Sequence, residues 1–207
     1  LEGTAGFAVS HIDGIRVFGE SEFVSIDDAT RKNLELVQSL RDGGSAFTLY
    51  EVLNNTRTTM GSRLLRSWIH HPLTDAKLIA ERHQAVERLY RSQKLLGSVR
   101  EILSSILDIE RLCARVSMER AHGKDLVALG SSLESFFALD SAFRQDGAES
   151  AILPYRASEK TLSLGREALA LIIESIAEDC PVALNEGGII RPKWSPRLDE
   201  LRSLRDN

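Results

Sequence analysis

Two adjacent histidines, His70 and His71, are the first residues in this chain whose chemistry invites a catalytic or metal-binding reading. Neighbouring side chains on a helix point about 100° apart, so the pair cannot readily share a metal, and no carboxylate lies at a ligand spacing from them. They read as helix-end histidines, favourable to the helix dipole when protonated. His11, His83 and His122 stand alone and read the same way. Arg111, Arg115, Arg120, His122 and Lys124 form a basic set that could hold phosphates. Glu110, Glu119 and Asp125 are interleaved with it, and no aromatic pattern accompanies it for base stacking, so it reads as a solvated helix face with local ion pairs. Gly43-Gly44 and Gly187-Gly188 lack the G-x-x-x-x-G-K-[ST] spacing that cradles a nucleotide. The carboxylate pairs Asp27-Asp28, Glu178-Asp179 and Asp199-Glu200 read as caps or exposed faces, and no Ser-His-Asp or Cys-His arrangement exists. Cys113 and Cys180, far apart and outside any metal spacing, read as small buried apolar residues rather than a disulfide. The sequence therefore assigns no catalytic, cofactor-binding or metal-binding residue.

Composition points the same way. The 207 residues are 43% hydrophobic and 27% charged, the balance of a globular protein. With five prolines and 6% aromatics, the abundance of Leu, Ala, Glu and Arg favours helices. A net charge of −4 does not suggest a free-standing nucleic-acid binder, which would usually be basic. No run of about 18 apolar residues is present, so no membrane-spanning segment is expected. The opening Leu1-Glu2-Gly3-Thr4 shows no initiator Met or signal pattern, and Leu201 to Asn207 stops within a helical pattern, as in a piece of a longer chain.

The elements follow from caps and periods. Residues 1–26 are the least helical: Phe7, Val9, Ile12, Ile15, Val17 and Phe18 are interrupted by Gly6, Gly14 and Gly19, which suggests short strands or an extended arm, and Phe23 to Ile26 reads as one more short strand. Asp27 or Asp28 can cap a short helix, after which Leu34, Leu36 and Val37 pack. Thr48 can cap a helix carrying Leu49, Val52 and Leu53 on one face. Thr58 or Thr59 caps the next, with Leu64, Leu65, Trp68 and Ile69 inward and Pro72 as its stop. Gly61 is expected there to permit close helix approach and Trp68 to set the packing angle. Asp75 caps a helix with its stripe from Leu78 to Tyr90; Leu95 to Leu107 and Ile109 to Val116 continue the pattern, with Asp108 between them. Gly123 breaks it and Asp125 caps a helix burying Leu126, Leu129, Leu133, Phe136 and Phe137. Gln145 to Pro154 is a loop, and a long helix covers about Ser158 to Ala177. Val182, Leu184, Ile189 and Ile190 suggest a hairpin or extended crossing. Ser195-Pro196 starts a last helix whose Leu198, Leu201 and Leu204 form a narrow stripe, as on an exposed arm.

The order of these stretches resembles one family. Ser25-Ile26-Asp27-Asp28-Ala29-Thr30-Arg31-Lys32-Asn33-Leu34-Glu35-Leu36 resembles the entry to the core, or lever, domain of the MutS family of DNA mismatch repair ATPases. The likeness continues through Thr48 to Leu53, Met60 to Ile69, Pro72-Leu73, Asp75, Arg82, Val86-Glu87, Asp108 to Leu112 and Arg115. It returns in Gly187-Gly188-Ile189-Ile190 and Ser195 to Arg202, and covers about residues 23 to 207. The run Thr30 to Leu36 is similar to the mismatch repair branch rather than the recombination or meiotic branches. Arg191-Pro192-Lys193-Trp194 departs from it, since the family more often has a glycine and a tyrosine there; the change should stiffen entry into the last helix.

The resemblance implies an all-α, multi-helix lever domain with a short extended entry. Residues 1–26 would be the connector-to-core passage, 27–195 the helical core, and 196–207 the first turns of a clamp arm. It implies a non-catalytic piece that couples mismatched-DNA binding to a distant ATPase domain, in a cytoplasmic bacterial or archaeal protein using ATP and Mg. Its partners would be mismatched double-stranded DNA, other MutS domains, a second MutS subunit and MutL as a further candidate, with no membrane. An independent helical scaffold for protein partners is the alternative.

Overall fold

A computed structural model describes residues 22–147, 157–181 and 184–206. Local hydrogen bonds explain where its helices begin. The Asp27 carboxylate accepts from the Thr30 amide and starts α1 (Asp28–Asn33). Thr48, almost fully buried, accepts from Glu51 to start α2 (Leu49–Leu53). The Thr58 hydroxyl accepts from the Gly61 amide at 2.9 Å and opens α3 (Thr59–His70). Asp75 precedes α4 (Ala76–Arg91) and accepts from the Lys77 amide. Ser92, Asp108 and Ser158 cap α5 (Gln93–Ser105), α6 (Ile109–Ser117) and α8 (Glu159–Ser175), which flank α7 (Gly123–Gln145) in the chain. A 3-10 turn, Leu184–Glu186, leads to α9 (Pro196–Asp206).

Among the described residues the fold is all-α, and extended pairing is limited to two isolated antiparallel bridges, Phe23 with Leu73 and Ile176 with Ile190. The strand expected over Phe23 to Ile26 is thus a single bridge. The expected strands over Phe7 to Phe18, the isolated His11, and Val182 lie outside the described residues.

The chain divides into two compact units, Leu1–Asn55 with Ser62–His83, and Thr56–Gly61 with Gln84–Asn207. In the first, the face foreseen as inward is split: Leu65 and Ile69 are half-buried, whereas Leu64 and Trp68 are exposed. Leu49, Val52, Leu53 and Leu64 are exposed, Leu64 at 52%, and Phe47 is 92% exposed. Trp68 is 37% exposed, with the Arg82 guanidinium 3.8 Å from its ring centroid. A helical stripe shows which residues share a face; a face stays open where no neighbouring element covers it. Gly61, which belongs to the second unit together with Thr56 and Thr58, meets its own cap where a helix approach was expected. A Cβ there would meet the Thr58 hydroxyl at 3.0 Å and Thr56 at 3.6 Å, so it makes room for its own cap.

In the second unit α5, α6 and α8 all pack on α7. By length and composition the 23-residue α7 could cross a membrane, which the absence of a long apolar run did not foretell. Here its apolar surface is met by three helices instead. It begins at Gly123, two residues ahead of the expected cap, because the Asp125 carboxylate reaches back to the His122 amide at 2.9 Å. Small residues set its close contacts. A Cβ on Gly130 would stand 3.1 Å from Ile172 of α8, and one on Gly165 of α8 would stand 3.2 Å from Phe137. Ser132, fully buried, donates to Ala128 and accepts from the Leu107 amide at 3.1 Å, which satisfies a backbone donor in the α5–α6 link. At the far end of α7, Arg88 bonds both the carboxylate and the carbonyl of Asp146, while Ser92 donates to the same carboxylate. Leu95 and Val99 form a core beside it, with Leu89, Leu103, Leu139, Ala142 and Phe143 packed around them.

Candidate functional site

The residues weighed for chemistry are not brought together. His70 ends α3 with its Nδ1 buried and lacking a hydrogen-bond partner. Burial first, then the Arg31 and Arg66 guanidiniums, hold its imidazole below the usual histidine range. The expected role for a protonated His70 at the helix dipole is therefore opposed by its surroundings. His71, one residue on, does sit at the helix end, its Nδ1 3.1 Å from the Ser67 carbonyl and its ring edge-on to Phe23. Of the basic set, Arg115 is ion-paired to Asp125, in keeping with a face of local ion pairs. Cys180 is buried as expected; Cys113 is exposed, and both are free thiols. Among the described residues no group of three or more His, Cys, Asp or Glu is placed to hold a metal ion.

What the second unit does build is a lashed junction between the end of α8 and the start of α9. Ile176 pairs with Ile190, the Ala177 amide donates to Ile189, and the Arg191 amide donates to Ser175 at 2.8 Å. The Arg191 side chain closes the same link through Nε to the Ile176 carbonyl at 2.7 Å and Nη2 to Glu178 at 3.0 Å. From α9, Arg202 reaches back to the Ile190 carbonyl at 2.9 Å and also pairs with Asp199. These charge-assisted bonds are stronger than neutral ones and hold the outgoing helix to the incoming one. Lys193, in the Arg191 to Trp194 departure, takes φ +70°. That left-handed conformation costs an L-residue about 1–2 kcal/mol, offset here by its amide donating to the Asp199 carboxylate at 2.7 Å.

Of the hairpin or extended crossing expected over Val182, Leu184, Ile189 and Ile190, the bridge at Ile190 is found, whereas Leu184 lies in a 3-10 turn. The roles of Arg191 and Arg202 were not legible, because an arginine that bonds a carbonyl 12 or 15 residues away leaves no periodic trace. In the sequence Gly123 reads as a break in the pattern and Gly130 and Ser132 go unmarked, although small residues in an apolar helix are a signal of close approach.

The family model of MutS domain III matches residues 29–206. The chain belongs to that family. It is 44% identical over its full 207 residues to the DNA mismatch repair protein MutS of Treponema pallidum strain Nichols and 42% identical to that of Treponema denticola. Over 97% of the chain it is 36% identical to the protein of the same description from Methanothrix thermoacetophila. The chain spans 23% of the length of each of these relatives.

Within this domain III the start of α7 has a measurable electrostatic signature. The His122 amide bond is the main cause holding the Asp125 carboxyl below its ordinary value of 3.8, burial opposes it, and Arg115 adds to it. A depressed carboxyl contributes stability that is present above its unfolded value and lost as the pH falls through the lower folded one. Asp125→Asn should therefore cost about 1 kcal/mol at neutral pH. Its urea midpoint should converge on that of the parent chain as the pH drops from about 5 to about 2. A gap that stays constant across that window would remove Asp125 from this role.

Proposed function

We propose that this MutS domain III chain is a non-catalytic lever within a DNA mismatch repair protein, coupling mismatched-duplex binding in one part of the longer protein to an ATPase domain in another. The names of its relatives support the repair setting. The junction at Arg191 and Arg202 carries the mechanical reading: α8, packed on α7, and α9 are joined by backbone pairing and part-buried carbonyl bonds, so a displacement of one is passed to the other. Close-packed elements switch between discrete arrangements rather than deform. In this reading ATP and Mg act elsewhere in the protein, and its partners are mismatched DNA, a second MutS subunit and MutL, in the cytoplasm of a bacterium or archaeon.

The test is made in the full-length protein. Arg191→Met with Arg202→Met should leave mismatch affinity and DNA-free ATP turnover near the parent values while removing the effect of mismatched DNA on turnover. Retained coupling would overturn the lever reading. The 207-residue chain alone should bind heteroduplex weakly, with steep salt dependence and no mismatch preference, or not at all; mismatch preference by the chain alone would also overturn it.

Exposed Phe47, Leu49 and Val52 in the first unit favour a second reading, a helical scaffold for protein partners. A gene for this chain that encodes no ATPase would establish it.

A further inference from the structure

The first unit contains an open cleft of about 430 Å³ between α1, the loop that follows it and the end of α3. Arg31, Lys32 and His70 line it, with Asp28 as its acidic member and Gln38 and Gly43 in its wall. The charges do not balance locally. The Arg31 side chain is only 27% exposed, yet its nearest carboxylate, Asp28, lies 4.0 Å away and is fully solvated. One guanidinium nitrogen donates to the Ile26 carbonyl at 3.2 Å, and Nε is buried without a partner. A half-buried guanidinium is ordinarily met by a carboxylate or phosphate at hydrogen-bond distance. His70 also lines the cleft, and its Nδ1 is buried without a partner. Arg31 and Lys32 facing one solvated carboxylate give the cleft a basic lining, the complement of a compact anion.

We infer that this cleft is an oxyanion site that takes a phosphate group, gripped by Arg31 and Lys32 with His70 as the third contact. Arg31 supplies a planar fork that fits two phosphate oxygens, and Lys32 supplies a mobile point charge at the rim. Gln38 donates to the Gly43 carbonyl at 3.0 Å, which holds the loop wall in place. The phosphate could be free or terminal, or part of a diester backbone; both present the same oxygens.

His70 reports occupancy. The charged and titratable groups around it are Arg31, Lys32 and Asp28 from α1, and Arg66 and His71 from α3 and its end. With the cleft empty, its surroundings disfavour the imidazolium; a bound phosphate reverses the local field. In the 207-residue chain, followed by NMR at constant ionic strength, inorganic phosphate should perturb residues of α1 and His70 saturably and raise the His70 midpoint by about one pH unit or more. Lys32→Gln, a change at an exposed position, should weaken binding several-fold. Arg31→Met should weaken it by about tenfold or more. Dimethyl phosphate separates the sources: tighter phosphate binding points to a free or terminal group, and equal or tighter diester binding to a nucleic-acid backbone. The inference is overturned by an unmoved His70 midpoint with both probes, or by an equal response to chloride. An undiminished response in Lys32→Gln and Arg31→Met would overturn it as well.

Discussion

Leu162→Ala is expected to destabilise the second unit by about 2–5 kcal/mol, the largest single effect foreseen for this chain. Leu162 is 1% exposed, and its helix packs directly on α7. Part of the cost is the lost transfer of three carbons out of water, and the rest is the cavity left behind. That cavity should persist, because the α7–α8 contact is already at its limit: Gly130 sits against Ile172 and Gly165 against Phe137 with no slack to close further. Urea unfolding followed by helical circular dichroism should show a lower midpoint with little change in slope. Leu171→Ala on the exposed side of the same helix is the control, expected to stay within about 0.5 kcal/mol. Equal losses in both variants would mean that α8 is held by propensity and not by packing.

That contrast also shows what could be read from residue order. Helix starts were legible at Asp27, Thr48 and Asp108, where a short polar side chain accepts from a first-turn amide, and at about Ser158, but the same kind of cap at Ser92 was not foreseen. The all-helical class and the last helix after Ser195 were legible for the same local reasons. Burial was not. Leu64, Leu65, Trp68 and Ile69 share a face as their spacing says, yet only Leu65 and Ile69 are half-buried, because coverage depends on what lies opposite. The well-capped stretch around Trp68 stands out locally, whereas α7, on which the second unit packs, shows no sharp apolar stripe. Its role emerges only from the three helices that surround it.

The candidate site was less legible than the fold. Nothing in the spacing of Arg191 and Arg202 announces that both reach backbone carbonyls at one crossing. Nor does Arg31, embedded in a run that marks the family, reveal that its guanidinium lacks a close counter-ion. Ion pairing is set by which side chains meet in space, and local sequence limits that only for pairs three or four residues apart, such as Glu87 with Arg91.

Gly123→Val should produce the second large effect, a loss of about 1–3 kcal/mol from overpacking. A Cβ at this position would lie 2.9 Å from the Cys180 sulfur and 3.0 Å from a methyl of Ile189. Cys180 is 2% exposed and cannot swing into solvent, so the strain must be relieved by moving the chain that carries it. That chain is the crossing that ties α8 to α9, where Ala177 donates to Ile189 and Ile176 pairs with Ile190. The variant should therefore speed hydrogen exchange at the Ala177 and Arg191 amides more than at the core of α5. Removing the sulfur should relieve the clash: in Gly123→Val with Cys180→Ala the two costs should fall short of additive by about 0.5–3 kcal/mol. Additive costs, with exchange unchanged at the crossing, would show that Gly123 is small for reasons unconnected with the junction. Coupling of the expected sign would place the start of the central helix and the root of the outgoing helix in one packed unit, the physical requirement for passing a displacement from one to the other.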